Sequence, residues 1–294
     1  AVLKIYDFPI FYFPKFFHPG PTVKRQSGFL YPTLEDNSSV GFSTSTPYFW
    51  AISDNKDMTF TPKIYTKENL LVLHEYRHAF KDSFLLVDSG YTKGYKKTDK
   101  LKKSEGSRSH IFAKYNHDLS KDNFSSNLEI NFQQVNNDTY LKVHDIKTKL
   151  ADKNDNIITK DINYEFQSDK NYLGISAAMY ENLTSSDSDK TRFEYSVPNI
   201  LFERNLFTGD KTGVFDIKSN AFVKNFKVNE TTKFWINDVN WQSNPFVSLN
   251  GIQNKFKGLF KIVNYEAEGA QKYKTEGLNS EVSGVLAYDA KLPM

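Results

Sequence analysis

Regular alternation of apolar and polar residues most limits the folds open to this chain. Between residues 124 and 132, Phe124, Leu128, Ile130 and Phe132 lie on one face of an extended chain and polar residues on the other. The same period of two recurs in residues 58–64, 162–167, 171–179 and 282–288. Successive side chains of a strand point to opposite sides, so the pattern predicts an all-β chain of antiparallel strands.

The lengths of these segments and of their connections favour a barrel. The alternating segments are about 9 to 12 residues long, as tilted membrane strands are, whereas globular strands are usually about 5 to 6 residues. Short connections are predicted at 53–56, 81–82, 120–122 and 168–170. Long ones are predicted at 94–108, 134–159 and 182–190, with a mobile tip at 150–160. Outer-membrane barrels have this arrangement, so we expect the long loops outside the cell and the short turns in the periplasm.

Composition excludes several classes of protein. No apolar run approaches the roughly 20 residues of a membrane-spanning helix, and the mean hydropathy is −0.57. Aromatic residues make up 15% of the chain, as the girdles of a barrel require, although a soluble β-sandwich could show the same count. A net charge of +3 gives no case for nucleic acid, and the absence of Cys excludes disulfides and thiolate metal sites in this chain.

One motif is typical of zinc peptidases. His74-Glu75-Tyr76-Arg77-His78 fits H-E-x-x-H, in which a helix brings two imidazoles to one metal. Its neighbours are predicted strands, and in a strand His74 and His78 would lie about 13 Å apart. A peptidase is therefore the disfavoured alternative. Because no other catalytic set stands out, we expect no enzyme and no cofactor.

Several segments resemble the family of the outer-membrane lipopolysaccharide-assembly protein LptD. The resemblance is strongest over the first 80 residues and patchy afterwards. The matching segments are Phe8 to Pro14, Lys24 to Leu30, Pro47 to Ile52, Thr59 to Pro62, Glu75 to Arg77, Asp138 to Leu141 and Arg192 to Pro198.

The resemblance implies two parts of a longer protein. Residues 1–26 would be the last strand of a periplasmic β-jellyroll with a linker, and residues 27–294 the N-terminal part of an outer-membrane β-barrel. About half of the wall would be missing, so the barrel would be incomplete in this segment. The chain starts and stops within predicted strands, so we expect a segment of a longer protein.

The resemblance also implies function and partners. In that family the barrel surrounds a lipoprotein plug, LptE, and lipopolysaccharide arrives along a periplasmic bridge that includes LptA. The lipid would leave sideways between the first and last barrel strands, among the outer-membrane lipids. Members often carry disulfides that tie the two domains together. This chain has no Cys, so those cysteines either lie outside this segment or are absent from this branch of the family. Another outer-membrane channel or receptor is the alternative.

Candidate site residues follow from the resemblance. Proline lacks an N–H, so Pro32 in the first barrel strand would weaken pairing at a lateral gate. Lys24 and Arg25 would lie where lipid phosphates pass. The remaining candidates are the linker and gate residues Pro14, Pro19, Pro21 and Gly28, and an aromatic turn made by Pro47, Tyr48, Phe49 and Trp50.

Overall fold

The computed structural model describes residues 2–5, 8–12, 25–94, 105–184, 191–210, 212–227, 230–270, 272–274 and 277–292. Two short N-terminal strands, β1 (Val2–Ile5) and β2 (Phe8–Tyr12), pair with each other in a separate two-stranded antiparallel sheet. The candidates Pro14, Pro19, Pro21 and Lys24 lie outside the described residues. The predicted division at residues 26 and 27 therefore stays a prediction.

All other described strands belong to one barrel sheet. Its first strands are β3 (Gly28–Phe29), β4 (Thr33–Asn37), β5 (Gly41–Ser45), β6 (Tyr48–Ser53), β7 (Lys56–Tyr65), β8 (Leu71–Ala79), β9 (Ser83–Gly94), β10 (Glu105–Asp118) and β11 (Ser125–Val135). After a short helix, α1 (Tyr140–Val143), come β12 (Ile157–Gln167), β13 (Asn171–Asn182), β14 (Phe193–Gly209), β15 (Gly213–Lys227), β16 (Glu230–Gln242), β17 (Phe246–Val247), β18 (Gln253–Glu268) and β19 (Asn279–Lys291).

Antiparallel pairing of neighbours in the chain confirms the predicted all-β, barrel-like sheet. Each strand from β7 to β16 is hydrogen-bonded to the next, and β18 continues the sheet from β16 to β19. Strand lengths in this wall run from 9 residues in β8 to 17 in β14, so the longest exceed the predicted 12. Residues 157–160, predicted to be part of a mobile tip, belong to β12.

The strand order returns to its start where β19 lies beside β3, as in a closed barrel. Among the described residues, however, no register of paired residues joins β19 to β3 or β4, and β19 is exposed at 11 of its 13 positions. This junction between the last and the first strands of the sheet is here called the seam.

The first two barrel strands are both interrupted. Pro32 separates β3 from β4, and Pro47 separates β5 from β6. The prediction that Pro47 to Trp50 form a turn is wrong, because Tyr48–Ser53 is a strand paired with β7. The proline interrupts the ladder without reversing the chain, since it lacks an N–H but allows an extended backbone.

Connections at the two ends of the barrel differ as predicted as far as β13, but residues 243–252, which join β16 to β18 at the end with the tight turns, form a long connection. The turns between β6 and β7, β8 and β9, and β12 and β13 are tight, whereas 136–156 is long and contains α1. Residues 95–104 and 185–190, within two of the predicted long loops, lie outside the described part. None of the helices in the described residues is long and apolar enough to cross a membrane.

Candidate functional site in the barrel lumen

The residues after β11 fold back into the barrel, and they identify which face of the sheet is inside. This segment, residues 136–156, is here called the inward loop. Tyr140 and His144 are 0% exposed, and Leu141 and Ile146 are 3% exposed. Tyr140, Leu141 and Ile146 form a buried cluster whose members from the strands include Tyr65, Leu71 and Phe112. A loop predicted from its composition to be polar thus carries a core of its own.

Hydrogen bonds attach the inward loop to the wall. The Tyr140 hydroxyl lies 3.2 Å from His110 Nδ1, and His110 Nε2 lies 3.0 Å from Asp88 Oδ1. The Tyr65 hydroxyl donates to the His144 carbonyl at 3.1 Å. Burial raises the pKa of Tyr140, so its phenol keeps its proton. The loop is therefore held in one position by packing and by directed polar contacts.

An arginine fixes the start of the inward loop. Arg192 Nη1 and Nη2 donate to the two carboxylate oxygens of Asp138 at 3.1 and 2.8 Å, and Nη2 also donates to Glu181 at 2.7 Å. The pKa of Arg192 is raised, chiefly by its hydrogen bond to the Asp138 carboxylate. Side chains of Arg192 and Glu181 are 8% and 7% exposed. The cluster links this loop to the connection between β13 and β14.

The face of the sheet that the inward loop contacts carries polar and charged side chains on most strands, with an apolar group of stacked rings at Phe222, Phe234 and Tyr265. On β10 to β12, Lys114 pairs with Glu129 at 3.1 Å, and Asn131 donates to Asp161 at 3.0 Å. Farther round the wall the polar side chains continue. The ion pairs there are Glu203 with Lys218 at 2.6 Å and Asp238 with Lys261 at 3.1 Å. The lumen is thus lined by charges of both signs.

The opposite face of the same strands is apolar and exposed. Ile162 follows lumen-facing Asp161 and is 50% exposed, although it lies in the middle of β12. Its exposed counterparts on other strands are Phe60, Ile64, Tyr91, Ile111, Phe132, Ile175, Trp235, Phe260 and Val282. Large apolar side chains exposed on nearly every strand need an apolar environment, which a bilayer supplies.

The candidate residues near the seam are partly brought together. Arg25 forms an ion pair with Asp57, and its guanidinium lies 5.4 Å from the centre of the Phe49 ring. Asp57 also accepts from Arg77 at 2.8 Å. Gly28 pairs with Phe49 in the sheet. These contacts hold the start of the barrel to its lumen wall.

The candidates Tyr48 and Trp50 face away from the lumen. Tyr48 packs edge-on against Phe29 at 5.1 Å, and Trp50 is 51% exposed. Both side chains lie on the outer face of the sheet, because Tyr48 pairs with Phe60 of β7 and Trp50 pairs with Met58 of β7. Pro32 lies between β3 and β4, directly before Thr33. Among the described residues, no contact of its ring identifies a binding site.

A cavity of about 560 Å³ lies between the seam strands and the inward loop. Its lining includes the apolar Leu30, Phe49 and Ile146 and the charged Glu75 and Arg77. The cavity therefore has both polar and apolar walls, which suit a ligand with both polar and apolar parts.

The H-E-x-x-H sequence is not a metal site. His74 and His78 lie in β8, where both face outward, His74 against Phe60 at 5.0 Å and His78 against Phe80 at 3.7 Å. Glu75 falls on the lumen face, opposite the two imidazoles. The described residues include no group of three His, Asp or Glu side chains that could hold a metal ion. The peptidase alternative fails because its geometry needs a helix.

Most residues that fix the inward loop cannot be predicted from the sequence. The contact between His110 and Asp88 depends on the pairing of β9 with β10, which alternation alone does not give. Tyr140 and Leu141 gave a usable signal, since two large apolar residues in an otherwise polar loop need somewhere to be buried.

Comparison with known proteins gives one consistent family. The protein-family model described as LptD protein matches residues 1–274. A relative called LPS-assembly protein LptD from Shewanella oneidensis is 40% identical over 78 residues, covering 26% of this chain and 10% of the relative. The same-named protein of Pseudomonas aeruginosa is 35% identical over 91 residues, covering 31% and 10%.

A longer match is found in Ectopseudomonas mendocina. Its LPS-assembly protein LptD is 26% identical over 238 residues, which cover 73% of this chain and 25% of that protein. The chain thus spans a quarter or less of the length of these relatives.

Proposed function

This chain belongs to the LptD family, and on that premise we propose that it forms part of the wall of an outer-membrane translocon for lipopolysaccharide. The family is one of assembly proteins, not of enzymes. The protein would reside in the outer membrane of a Gram-negative cell, with residues 1–26 in the periplasm.

The opposite chemistry of the two faces of the wall carries this proposal. Lumen-facing Asp161 and Asn163 alternate with outward-facing Ile162 and Tyr164 along β12. A hydrated oligosaccharide can exchange hydrogen bonds with such a lumen, whereas the apolar exterior matches lipid chains. Sugars of the lipopolysaccharide would therefore move inside the barrel, with the acyl chains directed to the membrane.

The seam is the proposed exit. A lateral gate must open without losing a full ladder of hydrogen bonds, since each buried backbone group left unpaired in lipid is costly. Pro32 and Pro47 both interrupt the strands beside the seam, and in the part of the chain that the structure describes β3 shows two residue pairs with β6, Gly28 with Phe49 and Phe29 with Tyr48. Pairing this sparse supports an exit beside β3 and β4.

Partners follow from the family. We expect a lipoprotein plug like LptE in the lumen and a periplasmic bridge protein like LptA upstream of residues 1–26. Lys24 and Arg25 would meet the lipid phosphates near the start of the barrel. For Arg25, the ion pair with lumen-facing Asp57 supports a position on this path. The linker candidates Pro14, Pro19 and Pro21 would keep the two domains at a fixed distance.

Neighbouring residues of one strand give a sharp test. A photoreactive amino acid would be placed at Asn163, or at Ile162 as the matched control, in the full-length protein in growing cells. Cross-links from Asn163 to lipopolysaccharide should disappear when delivery of new lipid from the periplasm is halted, whereas cross-links from Ile162 to lipid already in the membrane should persist. Absence of Asn163 cross-links during active transport, or their persistence after delivery stops, would contradict passage of the sugars through the lumen.

A further inference from the structure

Glu35 joins two lysines that come from distant parts of the chain. Its Oε2 accepts a hydrogen bond from Lys63 Nζ at 2.6 Å, and its Oε1 accepts one from Lys147 Nζ at 2.5 Å. Lys63 belongs to β7 in the wall, and Lys147 belongs to the inward loop. Glu35 itself is in β4, so one carboxylate connects the wall, the inward loop and the strand beside the seam.

Strand β4 has little else to hold it. Its five residues pair with β5 on one side, from Thr33 with Ser45 to Asn37 with Gly41. On its other side lies the seam, where the described residues show no paired register. On the lumen face, Thr33 hydrogen-bonds Ser45 through their hydroxyls. Glu35 is the β4 side chain that reaches beyond β5.

The inward loop is fixed at the place where it meets Glu35. Ile146, next to Lys147, is 3% exposed, and the His144 carbonyl accepts the hydrogen bond from Tyr65. Tyr65 lies on the same face of β7 as Lys63, whose Nζ is 5.5 Å from the centre of the Tyr65 ring. Packing therefore sets the position of the loop, and Lys147 extends it to β4.

Three lysines and two carboxylates surround this contact. The Lys63, Glu35 and Lys147 side chains are 9%, 25% and 67% exposed. The hydrogen bond to Glu35 raises the pKa of Lys147, which therefore stays charged. Asp145 lies 3.9 Å from Lys147 and forms an ion pair with Lys153. Loss of Lys147 would remove one exposed ion pair, whereas loss of Glu35 would leave the buried Lys63 without this carboxylate.

We propose that Glu35 is a positioning residue that couples the inward loop to the strand beside the seam. While the loop occupies the lumen, Lys147 and Lys63 hold β4 against the wall through Glu35. An occupant that displaces the loop removes Lys147 from Glu35 and frees β4 on its seam side. The inference rests on the proposed function for the identity of that occupant, but the coupling itself does not.

Hydrogen exchange in a double-mutant cycle tests the coupling. Backbone exchange of residues 33–37 would be measured in the full-length protein in lipid nanodiscs, with Glu35→Gln, Lys147→Gln and both changes together. Lys147→Gln should speed exchange in β4 by about twofold to fivefold, the range for one exposed ion pair. Glu35→Gln should speed it by about tenfold or more, because Lys63 is buried. The double variant should match Glu35→Gln alone.

A matched control lies on the same loop. Lys142 donates to Asn156 at 2.6 Å and does not contact β4, so Lys142→Gln should leave exchange in β4 unchanged. The coupling is wrong if Lys147→Gln leaves β4 unchanged, or if the effects of the two single variants multiply in the double variant. Lys147 is largely exposed, so its variant assembles and decides the question even where Glu35→Gln does not.

The exchange experiment needs no lipid transfer, so its outcome is independent of the photo-cross-linking result. If the exchange rates show the coupling but no lipopolysaccharide is found in the lumen, the role of Glu35 stands and the translocon function is wrong. If lipopolysaccharide is found in the lumen but the exchange rates show no coupling, the translocon function stands and the role of Glu35 is wrong. If both hold, cells with Lys147→Gln should admit large antibiotics that the intact outer membrane excludes, and cells with Lys142→Gln should not.

Discussion

Gly90 shows at the scale of one residue how the inward loop is accommodated. A Cβ at this position would lie 2.6 Å from His110 Cε1 and 2.7 Å from both Leu73 Cδ2 and the Tyr140 hydroxyl. Two of these neighbours are themselves buried and hydrogen-bonded to each other. A strand residue with no side chain thus leaves the space in which Tyr140 is bound.

Gly90→Ala should displace the inward loop without unfolding the barrel. Overpacking by one methyl group costs about 1–3 kcal/mol, which the loop can relieve by leaving the lumen. Trypsin should then cut after Lys149 and Lys153 several-fold faster. Gly284→Ala is the control, since its nearest neighbour would be the Leu259 carbonyl at 3.7 Å. Unchanged cleavage in Gly90→Ala would show that Tyr140 does not need this space.

Two substitutions in the Arg192 cluster should lower the free energy of unfolding by different amounts. Arg192→Gln removes the guanidinium that pairs with Glu181, whose side chain is 7% exposed, and should cost about 3–5 kcal/mol. Asp138→Asn should cost about 1 kcal/mol, since the Asp138 side chain is 38% exposed. In this variant the amide oxygen of the new side chain can still accept a hydrogen bond from Arg192. Urea unfolding of the full-length protein in lipid vesicles measures both. Equal losses would mean that Glu181 does not depend on Arg192.

At the scale of the strands, alternation in the sequence predicted most of what is found. Strands β7, β11, β12 and β13 were all predicted from their period of two, because one polar and one apolar face leave little choice of register. The turn expected at Pro47 to Trp50 came from the family resemblance, whereas Tyr48–Ser53 is a strand that Pro47 separates from β5. The inward fold of residues 136–156 could not be predicted, because its burial depends on contacts with β7 to β10, distant in sequence.

Neighbouring positions on β12 test which face meets lipid. Ile162→Lys puts a charge on the outer face at the middle of the strand and should cost about 2–4 kcal/mol. Asn163→Lys puts the same charge in the lumen, beside the Asp161 carboxylate that Asn163 contacts at 2.6 Å, and should cost little. The assembled fraction after folding into vesicles measures the difference. The reverse order of costs would mean that the two faces are interchanged.

At the scale of the whole molecule, the connections should divide between two compartments. Asn154, exposed in the inward loop, and Asp122, in the tight turn between β10 and β11, lie at opposite ends of the barrel. A single cysteine at position 154 of the full-length protein should react with an impermeant maleimide on intact cells, and one at position 122 should not. Labelling at 122 but not at 154 would invert the topology.

The central claim is that these strands form a membrane wall with a polar lumen, and β8 tests it most directly. Single cysteines at positions 72 to 78 of the full-length protein would be labelled with a water-soluble maleimide in isolated outer membranes. The account predicts labelling at 73, 75 and 77 and protection at the positions between them, including those of His74 and His78. Labelling that repeats every three to four residues, or that is uniform, would contradict a membrane strand.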